Sequence, residues 1–135
     1  MCCIVLKLYY ICRMNTDKRI SQMRKGVLEL CILTIISNQE DAYASDILSR
    51  LKQSELIVVE GTLYPLLTRL KNEGLLSYRW EESKSGPPRK YYKITEIGET
   101  ILQELTIGWQ ELIDAVQNIT ELENTNLETT NQQSQ

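Results

Sequence analysis

The sequence predicts a mainly α-helical fold with one small β-hairpin and a long C-terminal helix, and three patterns carry that expectation. Leu63, Leu66, Leu67 and Leu70 follow the i, i+3, i+4, i+7 spacing of an amphipathic helix. Two runs rich in apolar and aromatic residues, 75–82 and 89–95, flank a turn built on Gly86, Pro87 and Pro88. Beyond Thr95, Leu102, Leu105, Trp109, Leu112, Val116 and Ile119 recur at intervals of 3-4-3-4-3. At 135 residues the chain is one domain with an appendage, long enough for a core and short enough to gain from a partner subunit.

Residues 1–17 form an N-terminal extension, expected to lack order or to stem from a start codon upstream of the working one at Met14. Residues 1–13 are an apolar run broken by Lys7, too short to span a bilayer and without the small-residue cleavage site of a signal peptide. Cys2, Cys3 and Cys12, with no His in the chain, make a poor zinc site, and disulfides are not expected in a cytoplasmic protein.

Residues 18–95 hold the domain proper. A helix is expected over 23–36. Between Val27 and Ile36 only Glu29 and Thr34 are polar, so this helix should be buried on more than one side, with Cys31 a small core residue rather than a reactive thiol. Residues 44–52 form a second helix with Ile47, Leu48 and Leu51 on one side, followed by a short polar connection. Residues 60–74 form the third, with Pro65 in or just after its first turn and Gly74 as its left-handed stop. Opposite its leucine face lie Thr62, Tyr64, Thr68, Arg69, Lys71 and Asn72, hydrogen-bonding and cationic groups suited to phosphates and base edges in a major groove. In the hairpin that follows, Gly86 opens the turn, Pro87 and Pro88 stiffen it, and Lys84, Arg89 and Lys90 crowd it with positive charge. Helix, connection, helix, hairpin is the order of a winged helix-turn-helix. Thr62, Tyr64, Arg69 and Lys71 are therefore expected in or beside the major groove, and Lys84, Arg89 and Lys90 on phosphates or the adjacent minor groove.

Three segments in order, residues 61–70 (GTLYPLLTRL), 73–76 (EGLL) and 86–95 (GPPRKYYKIT), resemble the PadR-type bacterial transcriptional regulators. The resemblance covers about residues 18–120 and points to the smaller branch of the family, with a single C-terminal dimerisation helix. One departure is Ala44-Ser45-Asp46, which stands where many members have a Tyr-Gly pair at the start of the second helix.

Residues 96–122 are expected to be that dimerisation helix. Thr95 suits its N-cap, and Glu96 and Glu99 suit the positive end of its dipole. The seam of Leu102, Leu105, Trp109, Leu112, Val116 and Ile119 needs another helix to cover it, either in a second copy of the chain or on its own domain; the resemblance implies the homodimer. Residues 123–135, nearly all Asn, Thr, Gln, Glu and Ser, are expected to be a disordered polar tail. Trp109 has two readings. It is interface core, or it faces its twin across a twofold axis and, with Met23, Leu30 and Ile113, lines a slot for a flat apolar or cationic molecule. The family's small members bind aromatic compounds in such a place, and the resemblance implies the same slot.

The net charge of −3 hides two opposed parts: residues 1–95 carry 15 cationic and 10 acidic side chains, residues 96–135 carry 8 acidic and none cationic. A basic front with an acidic rear pointing away fits a nucleic-acid binder. The missing His removes the commonest general base and metal ligand, and no acid/base pair or Gly-rich phosphate loop replaces it, which argues against an enzyme and calls for no cofactor. The function expected is a cytoplasmic homodimeric repressor of double-stranded operator DNA, released by a small aromatic effector and independent of membranes. The alternative is a winged-helix protein-interaction module that does not bind DNA.

Overall fold

The computed structural model describes residues 2–132. Its elements, in order, are α1 (Cys2–Ser37), β1 (Ala42–Tyr43), α2 (Ala44–Gln53), α3 (Glu60–Asn72), β2 (Leu76–Glu81), β3 (Arg89–Ile94) and α4 (Glu96–Gln132). The chain divides into two units, residues 1–99 and residues 100–135.

α1 starts far ahead of the helix expected over 23–36. Between Cys2 and Ser37 the chain has no Pro and a single Gly, Gly26, so nothing stops helix propagation back through the segment assigned to an extension. Only its C-terminal part enters the core, through Leu28, Ile32, Leu33 and Ile36, while residues 16–26 are exposed. Cys31 is half-buried rather than a full core residue, and burial raises its thiol pKa, which keeps it protonated.

α2 and α3 end in the same device. After α2 the amide of Leu56 donates to the Leu51 carbonyl (2.9 Å) and that of Glu55 to Lys52 (3.0 Å), with Glu55 at φ 60°. After α3 the amide of Leu75 donates to Leu70 (2.9 Å) and that of Gly74 to Lys71 (3.0 Å), with Gly74 at φ 81°. Both are Schellman caps, which satisfy orphan carbonyls and need a left-handed residue; Gly adopts that conformation freely and Glu55 does not. The connection between the helices is less polar than expected, since it exposes Ile57 and Val59. Pro65 lies in the second turn of α3. Its missing N–H leaves the carbonyl of exposed Gly61 to water, while the amides of Thr62 and Leu63 both reach the Val59 carbonyl. Ile47 and Leu51 of α2 and Leu63, Leu67 and Leu70 of α3 complete the core.

The hairpin gains a third strand that the sequence did not announce, in the order β1-β3-β2, all antiparallel. β1 is two residues long, too short for any alternation to reveal. Pairing Ala42 with Tyr92 and Tyr43 with Tyr91, it ties the start of α2 to the hairpin. The register sets Leu76, Tyr78 and Trp80 opposite Ile94, Tyr92 and Lys90, and Ser77, Arg79 and Glu81 opposite Lys93, Tyr91 and Arg89. Alternation therefore puts Leu76 and Tyr92, both buried, on one face and Arg79 and Arg89 on the other.

Thr95 joins hairpin to helix as expected of an N-cap. Its hydroxyl accepts from the Gly98 amide (3.0 Å) and donates to the Gly74 carbonyl (2.6 Å), while its amide donates to Leu75 (3.0 Å). Glu99 accepts a hydrogen bond from Ser37 of α1 (2.8 Å). From residue 100 onward α4 is a single helix. With no Gly or Pro after Gly108 to end it, its backbone runs through the expected polar tail to Gln132; residues 133–135 lie outside the described residues.

Candidate nucleic-acid interface

The exposed side of α3 and the hairpin carry most of the predicted site. Tyr64 and Lys71 are exposed on α3, and Thr62 is partly covered in its first turn. The hydroxyl of Thr68 donates to the Tyr64 carbonyl (3.0 Å), a local bond that uses its only proton. Burial, then the nearby Glu60 carboxylate, raises the Tyr64 phenol pKa, so the group remains an un-ionised donor at neutral pH.

Arg69 is placed differently from its companions. Its guanidinium meets Glu29 of α1 at 2.5 Å and Glu73 one turn on at 3.6 Å. Grouping it with the groove-facing residues is therefore corrected: α1 supplies a carboxylate that a helical wheel of α3 cannot reveal. Lys71 instead turns toward the hairpin, with its ammonium 5.7 Å from the centroid of Tyr78.

The wing cations also separate. Lys90 lies 4.2 Å from the Tyr78 ring centroid and 5.1 Å from that of Trp80, on the sheet face shared with Lys71's ring partner. Arg89, the neighbouring residue, projects from the opposite face and sits 5.1 Å over Tyr43. Lys84 is exposed in the turn between the strands. Arg79, which the sequence analysis did not select, lies 5.1 Å over Tyr91 and is held by Asp41 (2.8 Å) and Glu81 (2.9 Å). Those two carboxylates raise its pKa, and its hydrogen bond holds Asp41 below the usual carboxylate range. Its charge is thus matched within the protein, unlike that of Lys71, Lys90 and Arg89, which rest on rings.

Tyr78 and Trp80 are the residues that sequence reasoning missed. Counting strand register back from the turn pairs Trp80 with Lys90 and would have found them, but as strand aromatics they pass for ordinary sheet packing. The seam and slot residues lie elsewhere. Met23 (75 % exposed) and half-buried Leu30 are on α1; Trp109 (40 % exposed) and half-buried Ile113 are on α4. Of the seam, Leu102 and Leu105 are partly covered, and Trp109, Leu112, Val116 and Ile119 are exposed.

A helix-turn-helix whose second helix presents polar and cationic side chains beside a basic hairpin is the architecture of a winged-helix DNA-binding regulator. Comparison with known proteins makes the assignment specific. Residues 32–104 match the model of the transcriptional regulator PadR-like family, and the chain belongs to that family. A PadR-like transcription factor of known structure from Bacteroides fragilis is 61 % identical, over 76 % of this chain and 99 % of that one, with a TM-score of 0.64. A PadR family transcriptional regulator from Eggerthella lenta is 34 % identical, over 80 % and 97 %, with a TM-score of 0.70. Bacillus subtilis PadR, solved in complex with operator DNA, is 25 % identical over 60 % of this chain and 47 % of that one, with a TM-score of 0.56. Among the described residues no helix is long and apolar enough to cross a membrane.

Proposed function

We propose that this transcriptional regulator is a cytoplasmic homodimeric repressor that binds a pseudo-palindromic operator through α3 and the wing and is released by a small planar aromatic effector. The observation that carries the DNA-binding part is the convergence of Lys71 from α3 and Lys90 from β3 on one edge of the hairpin, beside exposed Tyr64. The operator complex of the Bacillus subtilis relative supports it. Tyr64, Thr62 and Lys71 border the major groove, Lys84, Arg89 and Lys90 contact phosphates or the adjacent minor groove, and Arg69 braces α3 against α1. The exposed seam on α4 supports dimerisation, which sets two reading heads about 34 Å apart, one helical turn of DNA. Met23, Leu30, Trp109 and Ile113 supply the apolar walls of the effector slot, and the effector releases DNA by favouring the arrangement of heads that does not fit the operator.

Selecting duplexes from a random pool with the purified protein tests binding and yields the operator. Replacing Lys84, Arg89 or Lys90 with Ala is expected to weaken all sequences alike and to reduce the slope of log affinity against log salt by about one for each phosphate no longer neutralised. Tyr64→Phe is expected to weaken the selected site more than random duplex. Recovery of no sequence preference and no salt dependence would leave a winged-helix protein-interaction module. A screen of planar aromatics by fluorescence, with Trp80→Phe to isolate the Trp109 indole, tests the slot; a compound that quenches Trp109 must also lower operator affinity.

A further inference from the structure

Tyr78 sits where the recognition helix and the wing meet. Its ring lies 5.7 Å from the Lys71 ammonium of α3 and 4.2 Å from the Lys90 ammonium of β3. Lys90 also lies 5.1 Å from Trp80, which meets Tyr78 edge-on at 6.2 Å. On the inner side Tyr92, the buried cross-strand partner of Tyr78, packs at 6.3 Å between centroids.

We propose that Tyr78 is a positioning residue for DNA binding: its ring gathers the cation of the recognition helix and the cation of the wing into one cluster, so that helix and wing engage the duplex as a coupled unit rather than as two independent arms. The proposal rests on the DNA-binding function put forward above. A free lysine is long and rotamer-rich, and fixing it on DNA costs side-chain entropy. A ring attracts an ammonium without neutralising it, so the charge is held in place and stays available to a phosphate. Arg69 and Arg79 show the contrasting arrangement, in which carboxylate partners compete with any phosphate. Two ammoniums on one ring also repel each other, and an approaching phosphate relieves that repulsion. The surroundings agree with this role: Tyr78 and Trp80 are exposed aromatics on an outer strand, where the buried core has already ended at Leu76 and Tyr92. Core packing therefore does not require rings at these two positions.

The test compares Tyr78→Phe, which keeps the ring, with Tyr78→Val, which removes it and suits a strand. One readout needs no DNA. The ε-methylene protons of Lys71 and Lys90 are expected to show ring-current shifts by NMR in the wild type and in Tyr78→Phe, and to lose them in Tyr78→Val. The other readout is affinity for a selected duplex across a salt series. Tyr78→Val is expected to bind about fivefold more weakly with an unchanged salt slope, because positioning is lost and charge is not, while Tyr78→Phe binds like the wild type. Lys71→Ala and Lys90→Ala, combined in a double-mutant cycle, are expected to couple by at least about twofold with the ring present and to add independently in the Tyr78→Val background. Wild-type lysines without ring-current shifts, or additive lysine losses in the wild type, overturn the proposal. The cycle in the wild type decides alone if Tyr78→Val does not fold. A wild type that shows the shifts but selects no duplex refutes the DNA-binding function itself, and the cluster then has no part in reading DNA.

Discussion

Gly98, in the first turn of α4, is fixed by close approach rather than by backbone angle. A Cβ placed there would stand 2.2 Å from the Leu75 carbonyl oxygen and 2.7 Å from Cγ1 of Ile94. Elsewhere in a helix Gly→Ala is stabilising by about 1 kcal/mol. At this position the helix would have to lift off the turn after α3, and Gly98→Ala is expected to lower stability by about 2 kcal/mol in denaturant titration. A neutral or stabilising result would show that α4 does not begin seated on Leu75. Asp41 offers a second test at this scale. Its carboxylate bonds Arg79, so its pKa in the folded protein lies below the ordinary 3.8. The stability it contributes is therefore present above that value and is lost as pH falls through the folded pKa. Asp41→Asn is expected to flatten the fall in melting temperature below about pH 4, a change that a pH series of melts would reveal.

At the scale of elements, α4 carries its seam in plain view. Leu112 is 54 % exposed near the middle of an apolar stripe, between Trp109 and Val116. A carboxylate at the centre of the proposed dimer would be desolvated without a partner, at a cost of several kcal/mol. Leu112→Glu is expected to give monomers by light scattering while leaving the winged domain folded by circular dichroism; a stable dimer would move the interface off this stripe. The wing differs in kind, because strand alternation divides it. Lys90 faces the same way as Tyr78 and Trp80, and Arg89 faces away, so a cluster that is continuous in sequence becomes two separate contacts. α3 and α1 are linked by Arg69 and Glu29, which lie 40 residues apart. That link makes the orientation of the recognition helix depend on α1.

At the scale of the molecule, cationic side chains are confined to residues 1–95, while every charge from residue 96 onward is acidic. Two copies joined through α4 would present basic heads to DNA while the acidic helices avoid it. α1 extends this picture at the other end. The described side chains of its first 26 residues are exposed and include Ile4, Val5, Leu6 and Tyr10, none of which enters the core. A chain beginning at Met14 is accordingly expected to match the full chain in melting temperature and operator affinity, and a loss in either would show that this stretch of α1 is engaged in the assembled regulator.

Local pattern was enough for the elements that repeat. The leucine face of α3, the stop at Gly74, the turn at Gly86-Pro87-Pro88, the cap at Thr95 and the seam of α4 each depend on residues a few positions apart, so spacing alone exposes them. The same residues carried the resemblance that the family match bears out. β1 escaped because a strand of two residues has no period, and the reach of α1 escaped because an unbroken helix gives no sign of where its burial begins. Tertiary structure alone decided which cations are free. Glu29 takes Arg69, Asp41 takes Arg79, and Tyr78 collects Lys71 and Lys90, and each of these partners comes from a different element. Periodicity reports which face of an element a side chain occupies; only the packing of elements determines whether a carboxylate or an aromatic ring waits opposite it.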